Sequence, residues 1–254
     1  MWFEQALGVV EALPESQSTL AQGFDIRLEL RPVLLELGAI RQTLERLREA
    51  ERLAERLNDD RRRGRVCAFL LTSHALLGEP DEALVTGTRA LEIAGRLGDL
   101  RLRILATSNL VQMYYPGGEY ERAVELTTDN LAALPADWVY DYFERGAPIS
   151  VLDRAWLVMS LVQMGRFAEA TEYEAEATRL SKPTERAFTL CMAHWAAGWL
   201  HLVKGDWAKA RSRLEQWIAV ARTGNVVVHL PWAVALSAWV LAQLGEASEA
   251  LNRL

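Results

Sequence analysis

Six glycines divide this chain at an almost constant interval. A short pattern, Gly-x-(bulky residue or Pro)-x-x-(Ala or Thr), occurs at Gly38-Ala-Ile40-Arg-Gln-Thr43, Gly78-Glu-Pro80-Asp-Glu-Ala83 and Gly118-Glu-Tyr120-Glu-Arg-Ala123. It returns at Gly165-Arg-Phe167-Ala-Glu-Ala170, Gly205-Asp-Trp207-Ala-Lys-Ala210 and Gly245-Glu-Ala247-Ser-Glu-Ala250. Successive glycines stand 40, 40, 47, 40 and 40 residues apart, and four identical intervals are hard to obtain by chance. Periods of this size belong to arrays in which each unit buries its apolar face only by stacking on its neighbours.

About sixteen residues of helical periodicity precede each glycine and a similar run follows it, so the glycine marks the turn of a helical hairpin, helix A then helix B. The residue just past a helix end commonly adopts the left-handed conformation, which glycine tolerates best. Acidic residues after the turn, as in Glu79-Pro80-Asp81-Glu82, suit the positive end of the B helix, and Pro80 fits its first turn. The small residue five positions after the glycine lets the two helices of a hairpin approach closely. Ala50, Ala90 and Ala177, at plus twelve, serve the contact with the following hairpin. A second marker, Leu57-Asn58-Asp59, Leu97-Gly98-Asp99 and Thr223-Gly224-Asn225, reads as the turn between hairpins. The expectation is an all-α, right-handed superhelix of about six antiparallel hairpins, a single array over residues 1–254.

These residues resemble the tetratricopeptide (TPR) repeat. The hinge glycine is followed two positions later by an aromatic residue at Tyr120, Phe167 and Trp207, and five positions later by alanine. A small residue seven before the hinge is also typical of that family and is matched by Gly198 and Ala238, though not by Leu71, Val111 or Val158. The interval exceeds the usual 34 residues, which helices about one turn longer explain. HEAT repeats share the longer period, but the A helices here lack a regular mid-helix proline. Arrays of this long type with Leu-Gly-Asp turns are similar to the C-terminal regions of bacterial multidomain adenylate or guanylate cyclases carrying an ATPase module. They are similar also to LuxR-like regulators related to the maltose activator. The resemblance implies a segment without catalysis or cofactor of its own, serving protein interaction or ligand sensing in a larger bacterial signalling protein.

Both ends read as truncated. The chain opens inside an apparent B helix at Trp2–Val10 and stops nine residues past Gly245, where other B helices run about seventeen, so self-association through uncapped ends is a further expectation. No Gly-x-x-x-x-Gly-Lys-(Ser/Thr) phosphate loop is present. With 28 basic against 34 acidic residues, the net charge of −6 disfavours a nucleic-acid partner. Cys67 and Cys191 stand 124 positions apart with no metal or redox spacing, and the N-terminus has no basic stretch or cleavage site, which together point to a reducing, cytoplasmic setting. The uncharged run from Asn225 to Gly245 is long enough for a bilayer span, but Pro231, His229 and Gln243 interrupt it and Trp232 and Trp239 lie within it, so a helix covered by neighbours is the better reading.

In a TPR-like array the A helices line the concave groove, with residues 13, 10, 6, 3 and 2 before the hinge facing inward. Those positions include Met192, Trp195, Trp199, Trp232 and Trp239 in the last two units, and Ser108, Gln112, Tyr115, Leu152, Met159 and Gln163 before them. Trp195, Trp199, Trp232, Trp239, Met159, Gln112 and Tyr115 are the groove candidates, offering an aromatic, uncharged surface to a peptide anchor or a small effector. The competing reading makes Trp199 and Trp239, 40 apart, equivalent packing positions. Exposure above one third separates the two. The 47-residue interval contains a seven-residue insertion near 134–148 whose Trp138, Tyr140 and Phe143 either contact a partner or plug the gap between units. The rival from another class is an α/α-toroid glycan hydrolase using two of Asp137, Asp141, Glu144 and Asp153. His74 and His201 share one repeat position, four before the hinge, which points to packing.

Overall fold

The computed structural model describes residues 2–254, and among them every regular element is helical. Packing divides the chain into two compact units, residues 1–113 and 114–254, each a run of antiparallel helices.

The first unit holds α1 (Trp2–Ala12), α2 (Gln17–Glu36), α3 (Ile40–Arg56), α4 (Asp60–Leu77), α5 (Pro80–Leu97) and most of α6 (Leu100–Tyr114). The second holds α7 (Tyr120–Ala133), α8 (Ile149–Gln163), α9 (Phe167–Ser181), α10 (Ala187–Val203), α11 (Trp207–Thr223), α12 (Leu230–Gln243) and α13 (Ala247–Arg253). Each of the six hinge glycines follows a helix with φ between +72° and +82°. At each, the next residue donates its N–H to the carbonyl five residues back, as Glu79 does to His74 at 3.0 Å and Asp206 to His201 at 2.9 Å. This bond is the six-to-one half of a Schellman cap, and it satisfies carbonyls that the helix end leaves without partners. The turns between hairpins use the same device, with φ of +50° at Asn58, +60° at Gly98 and +54° at Asn225.

Side-chain caps start several A helices. Asp59 accepts from the Arg62 N–H at 2.9 Å to open α4, and Asp99 accepts from Leu102 at 3.1 Å to open α6. Ser16 and Thr19 form a reciprocal capping box before α2. The small residue five after the hinge is buried throughout, as Thr43, Ala83, Ala123, Ala170, Ala210 and Ala250. Helices also approach closely at two further glycines of the first unit. A Cβ on Gly64 would lie 2.3 Å from a Leu102 methyl, and one on Gly87 would lie 2.3 Å from a Leu71 methyl. Ala50, Ala90 and Ala177 at plus twelve are fully buried. Trp217 takes that position in the fifth hairpin and is buried too.

In the second unit the core runs from α8 to α10 through Leu152, Ala155, Leu157, Leu161, Met192, Ala196 and Leu200, then from α10 to α12 through Cys191, Leu214, Trp217, Ala221, Ala233 and Val240.

The insertion folds into that core. After a single 3₁₀ turn (Ala136–Trp138) the chain turns through left-handed Phe143 and Glu144, at φ +47° and +60°. Phe143 is only 1% exposed, with Trp138 edge-on against it at 5.7 Å. Arg145 is half-buried near Asp153, and loss of solvent pushes its pKa down to about 10 despite that carboxylate. Asp153 accepts from Asn130 of α7 at 2.7 Å, which ties α7 to α8.

Candidate functional site

The second unit carries a chain of touching aromatic rings. Tyr115 packs against Tyr120 at 5.5 Å and against Trp156 of α8 at 5.6 Å. Trp156 meets Trp195 of α10 edge-on at 4.9 Å, and Trp195 in turn lies 6.3 Å from Trp217 of α11. At the inner end, the Trp217 indole N–H donates to His229 Nδ1 at 3.1 Å, so that nitrogen is the bare one and the proton sits on Nε2. Burial without a compensating acid lowers the His229 pKa to about 4. At the outer end, the Tyr115 hydroxyl accepts from Gln163 at 3.2 Å, and its burial pushes the pKa up to about 12.

Exposure sorts the predicted residues. Trp232 is 69% exposed and Trp239 48%, both above the one-third mark. Trp195 and Trp199 are half-buried, packed against the α8–α10 core, and the packing reading fits them better. Tyr115 and Gln112 are half-buried. Met159 is a correction: at 3% exposure, within the buried stretch that α8 presents to α10, it offers no surface to a ligand. Of the insertion residues, Phe143 is likewise corrected to a core plug, Trp138 is half-buried against it, and Tyr140 remains exposed. Trp156, Trp217 and His229 escaped the sequence reading. Trp156 stands nine residues before its hinge and Trp195 ten before its own, so counting from the glycines does not align them.

The exposed indoles share one face of α12. Trp232, Ala235, Trp239 and Ala242 succeed each other at intervals of three, four and three, the repeat of a single helix stripe, and all four are exposed. No charged residue lies between Asn225 and Gly245. The opposite face, Ala233, Ser237, Val240 and Leu241, is buried.

Of the insertion's carboxylates, Asp153 is buried and accepts from Asn130 at 2.7 Å, and Asp141 accepts from the Phe143 N–H at 2.8 Å. Among the described residues no cluster of His, Cys, Asp and Glu could hold a metal ion. Cys67 and Cys191 are buried, and burial raises the Cys67 thiol to about 11. His74 and His201 each face the acidic residue after their hinge, Glu79 at 2.6 Å and Asp206 at 3.5 Å, which makes them part of the helix caps. A cleft on the first unit is lined by Asp60, Arg63, Arg89, Glu92, Ile93 and Arg96. Its cations are paired, Arg63 and Arg96 with Asp60 and Arg89 with Glu51. No described helix is long and apolar enough to cross a membrane.

Residues 192–216, from α10 across Gly205 into α11, match the tetratricopeptide repeat. No curated protein matches the chain. Solved structures share its fold. A Rap protein complexed with Competence and Sporulation Factor superposes with a TM-score of 0.67 at 11% identity, covering 99% of this chain and 81% of that one. BtubC (BKLC) from P. vanneervenii gives 0.57 at 19%, covering 86% and 87%. A Podospora anserina kinesin light chain of nearly identical TPR-like repeats gives 0.53 at 18%, covering 84% and 100%. The fold is therefore the TPR-like helical repeat.

Proposed function

We propose that this chain is a non-catalytic interaction or ligand-sensing segment of a larger bacterial signalling or regulatory protein. The setting is cytoplasmic, and the parent is of the kind that joins such arrays to a nucleotide cyclase and an ATPase, or of the LuxR-like kind. Its binding face is the uncharged aromatic stripe of α12. The observation that carries this reading is the solvent exposure of Trp232 and Trp239 on a helix face without charge. Burying an indole removes a large apolar area from water, and tryptophan is prominent among the residues that dominate binding energies. A complex with a bound factor among the structures of similar fold supports the reading.

An uncharged peptide segment with apolar anchors, or a small apolar effector, suits such a face. Thermal-shift screening of the chain against peptides, sugars and nucleotides tests this, since a ligand bound only to the folded state raises the melting temperature by mass action. An apolar peptide or effector that raises Tm in the native chain and not in Trp232→Ala or Trp239→Ala meets the expectation. A shift produced only by charged ligands and retained in both variants refutes it.

A further inference from the structure

The stripe on α12 is complementary to itself. Large and small residues alternate along it as Trp232, Ala235, Trp239 and Ala242, all exposed. The residue numbers are symmetric about 237, so turning the helix end for end places each Trp where an Ala stood. Two copies of α12 laid antiparallel therefore bring Trp232 of one protomer over Ala242 of the other, and Trp239 over Ala235, with the reciprocal contacts repeated across the axis. This is the contact rule of a two-fold interface, in which residue i meets j and j meets i. The two indoles stand about 10 Å apart along the helix, at 1.5 Å per residue, and the alanine between them leaves a hole that a knob from a facing helix fills.

We infer that the partner of this face is a second copy of the same chain, paired α12 to α12 about a two-fold axis. The inference rests on the binding face proposed above and names its occupant. Charge favours the pairing, because the run from Asn225 to Gly245 sets no like charges against each other. Antiparallel helices also place the positive end of each beside the negative end of the other.

The area involved sets the strength. With about 250 Å² for a whole Trp side chain, exposures of 69% and 48% leave roughly 290 Å² of indole per protomer to cover. Pro231, Ala235, Ala242 and Gln243, exposed on or beside the stripe, add to this. The total falls at the low end of specific interfaces, below about 1,200 Å² for both partners, where weak and reversible associations lie. The dimer is therefore concentration-dependent, and a ligand on the same face competes with it.

Sedimentation equilibrium of the chain over a wide concentration range tests the pairing. The native chain dimerises reversibly, and Trp239→Ala weakens self-affinity about 30-fold or more, as loss of a central anchor does. Ala235→Trp separates specific pairing from general stickiness: it fills the hole opposite Trp239 and abolishes the dimer while adding exposed apolar surface. Far-UV circular dichroism checks that both variants keep the helical fold. A cysteine pair, Pro231→Cys with Gln243→Cys, forms disulfides between protomers joining 231 to 243. A chain that stays monomeric to its solubility limit overturns the self-pairing, and so does a dimer that survives Trp239→Ala or strengthens with Ala235→Trp. If the native chain is monomeric and Trp232→Ala still removes a ligand's thermal shift, the pairing fails and the binding face stands.

Discussion

Three glycines of one helix respond differently to the same substitution. Gly87 and Gly95 lie inside α5, and Gly98 caps it at φ +60°. At Gly95 a Cβ meets nothing within 4 Å. Gly95→Ala there gains helix propensity and restricts the unfolded chain, a stabilisation of about 0.5–1 kcal/mol. At Gly87 the same atom would lie 2.3 Å from Leu71 Cδ1 and 2.7 Å from Leu110 Cδ2. Ordinary carbon contacts lie near 3.5–4.0 Å, so the overlap exceeds about 1 Å. Both leucines are buried, at 0% and 3%, and neither can swing into solvent. Overpacking of this kind costs about 1–3 kcal/mol, which outweighs the propensity gain of about 1 kcal/mol. Gly87→Ala is therefore destabilising on balance. Gly98→Ala costs about 1 kcal/mol through the left-handed backbone alone. Urea unfolding followed by far-UV circular dichroism ranks the variants Gly95→Ala above native, with Gly98→Ala and Gly87→Ala below. A Gly87→Ala chain as stable as Gly95→Ala refutes the close packing of α5 against its neighbours in the first unit.

The insertion supplies a second test: Asp153→Ala removes the buried acceptor of the Asn130 amide and lowers stability by about 1–3 kcal/mol in denaturant titrations. Phe143→Ala costs about 3–5 kcal/mol by opening a cavity in the core, whereas Tyr140→Ala at the exposed position changes stability by less than about 0.5 kcal/mol. His229 gives a pH dependence. The unfolded chain takes up a proton near the ordinary histidine value of 6.5 and the folded chain only near 4, so stability is full above that window and falls as pH drops through it. The gap amounts to about 3 kcal/mol at 1.36 kcal/mol per pH unit. His194 and His201, also lowered by burial, act in the same direction. His229→Gln keeps an acceptor for Trp217 and flattens the slope, measurable as Tm against pH.

Much of this architecture is legible in the sequence because backbone chemistry writes it there. A left-handed residue is needed at every hinge, and glycine stands at all six. Asn58, Gly98 and Asn225 mark the second set of turns for the same reason. Side-chain exposure is less legible. Equivalent repeat positions hold Met159 and Trp199 on earlier A helices and Trp239 on α12, yet the first is buried, the second half-buried and the third exposed. The difference lies in what covers each helix: α8 and α10 share one core, whereas the outer stripe of α12 keeps Trp232 at 69% and Trp239 at 48% exposure. Trp217 occupies a position held by alanine in three other hairpins and by Asn130 in the third, and its indole has drawn His229 into the core as a hydrogen-bond acceptor. Only the third dimension shows that pairing. Likewise the insertion's aromatic residues and acids look like a binding loop in sequence, and only the structure shows that Phe143 plugs the core and that Asp153 is buried against Asn130.

If the uncharged face of α12 is the binding face proposed above, selection of a random peptide library separates the native chain from Trp232→Glu/Trp239→Glu, because exposed positions accept the change without loss of the core. The native chain then enriches peptides with apolar anchors and little charge, and the double variant enriches none of them. Enrichment of the same peptides by both chains would contradict it.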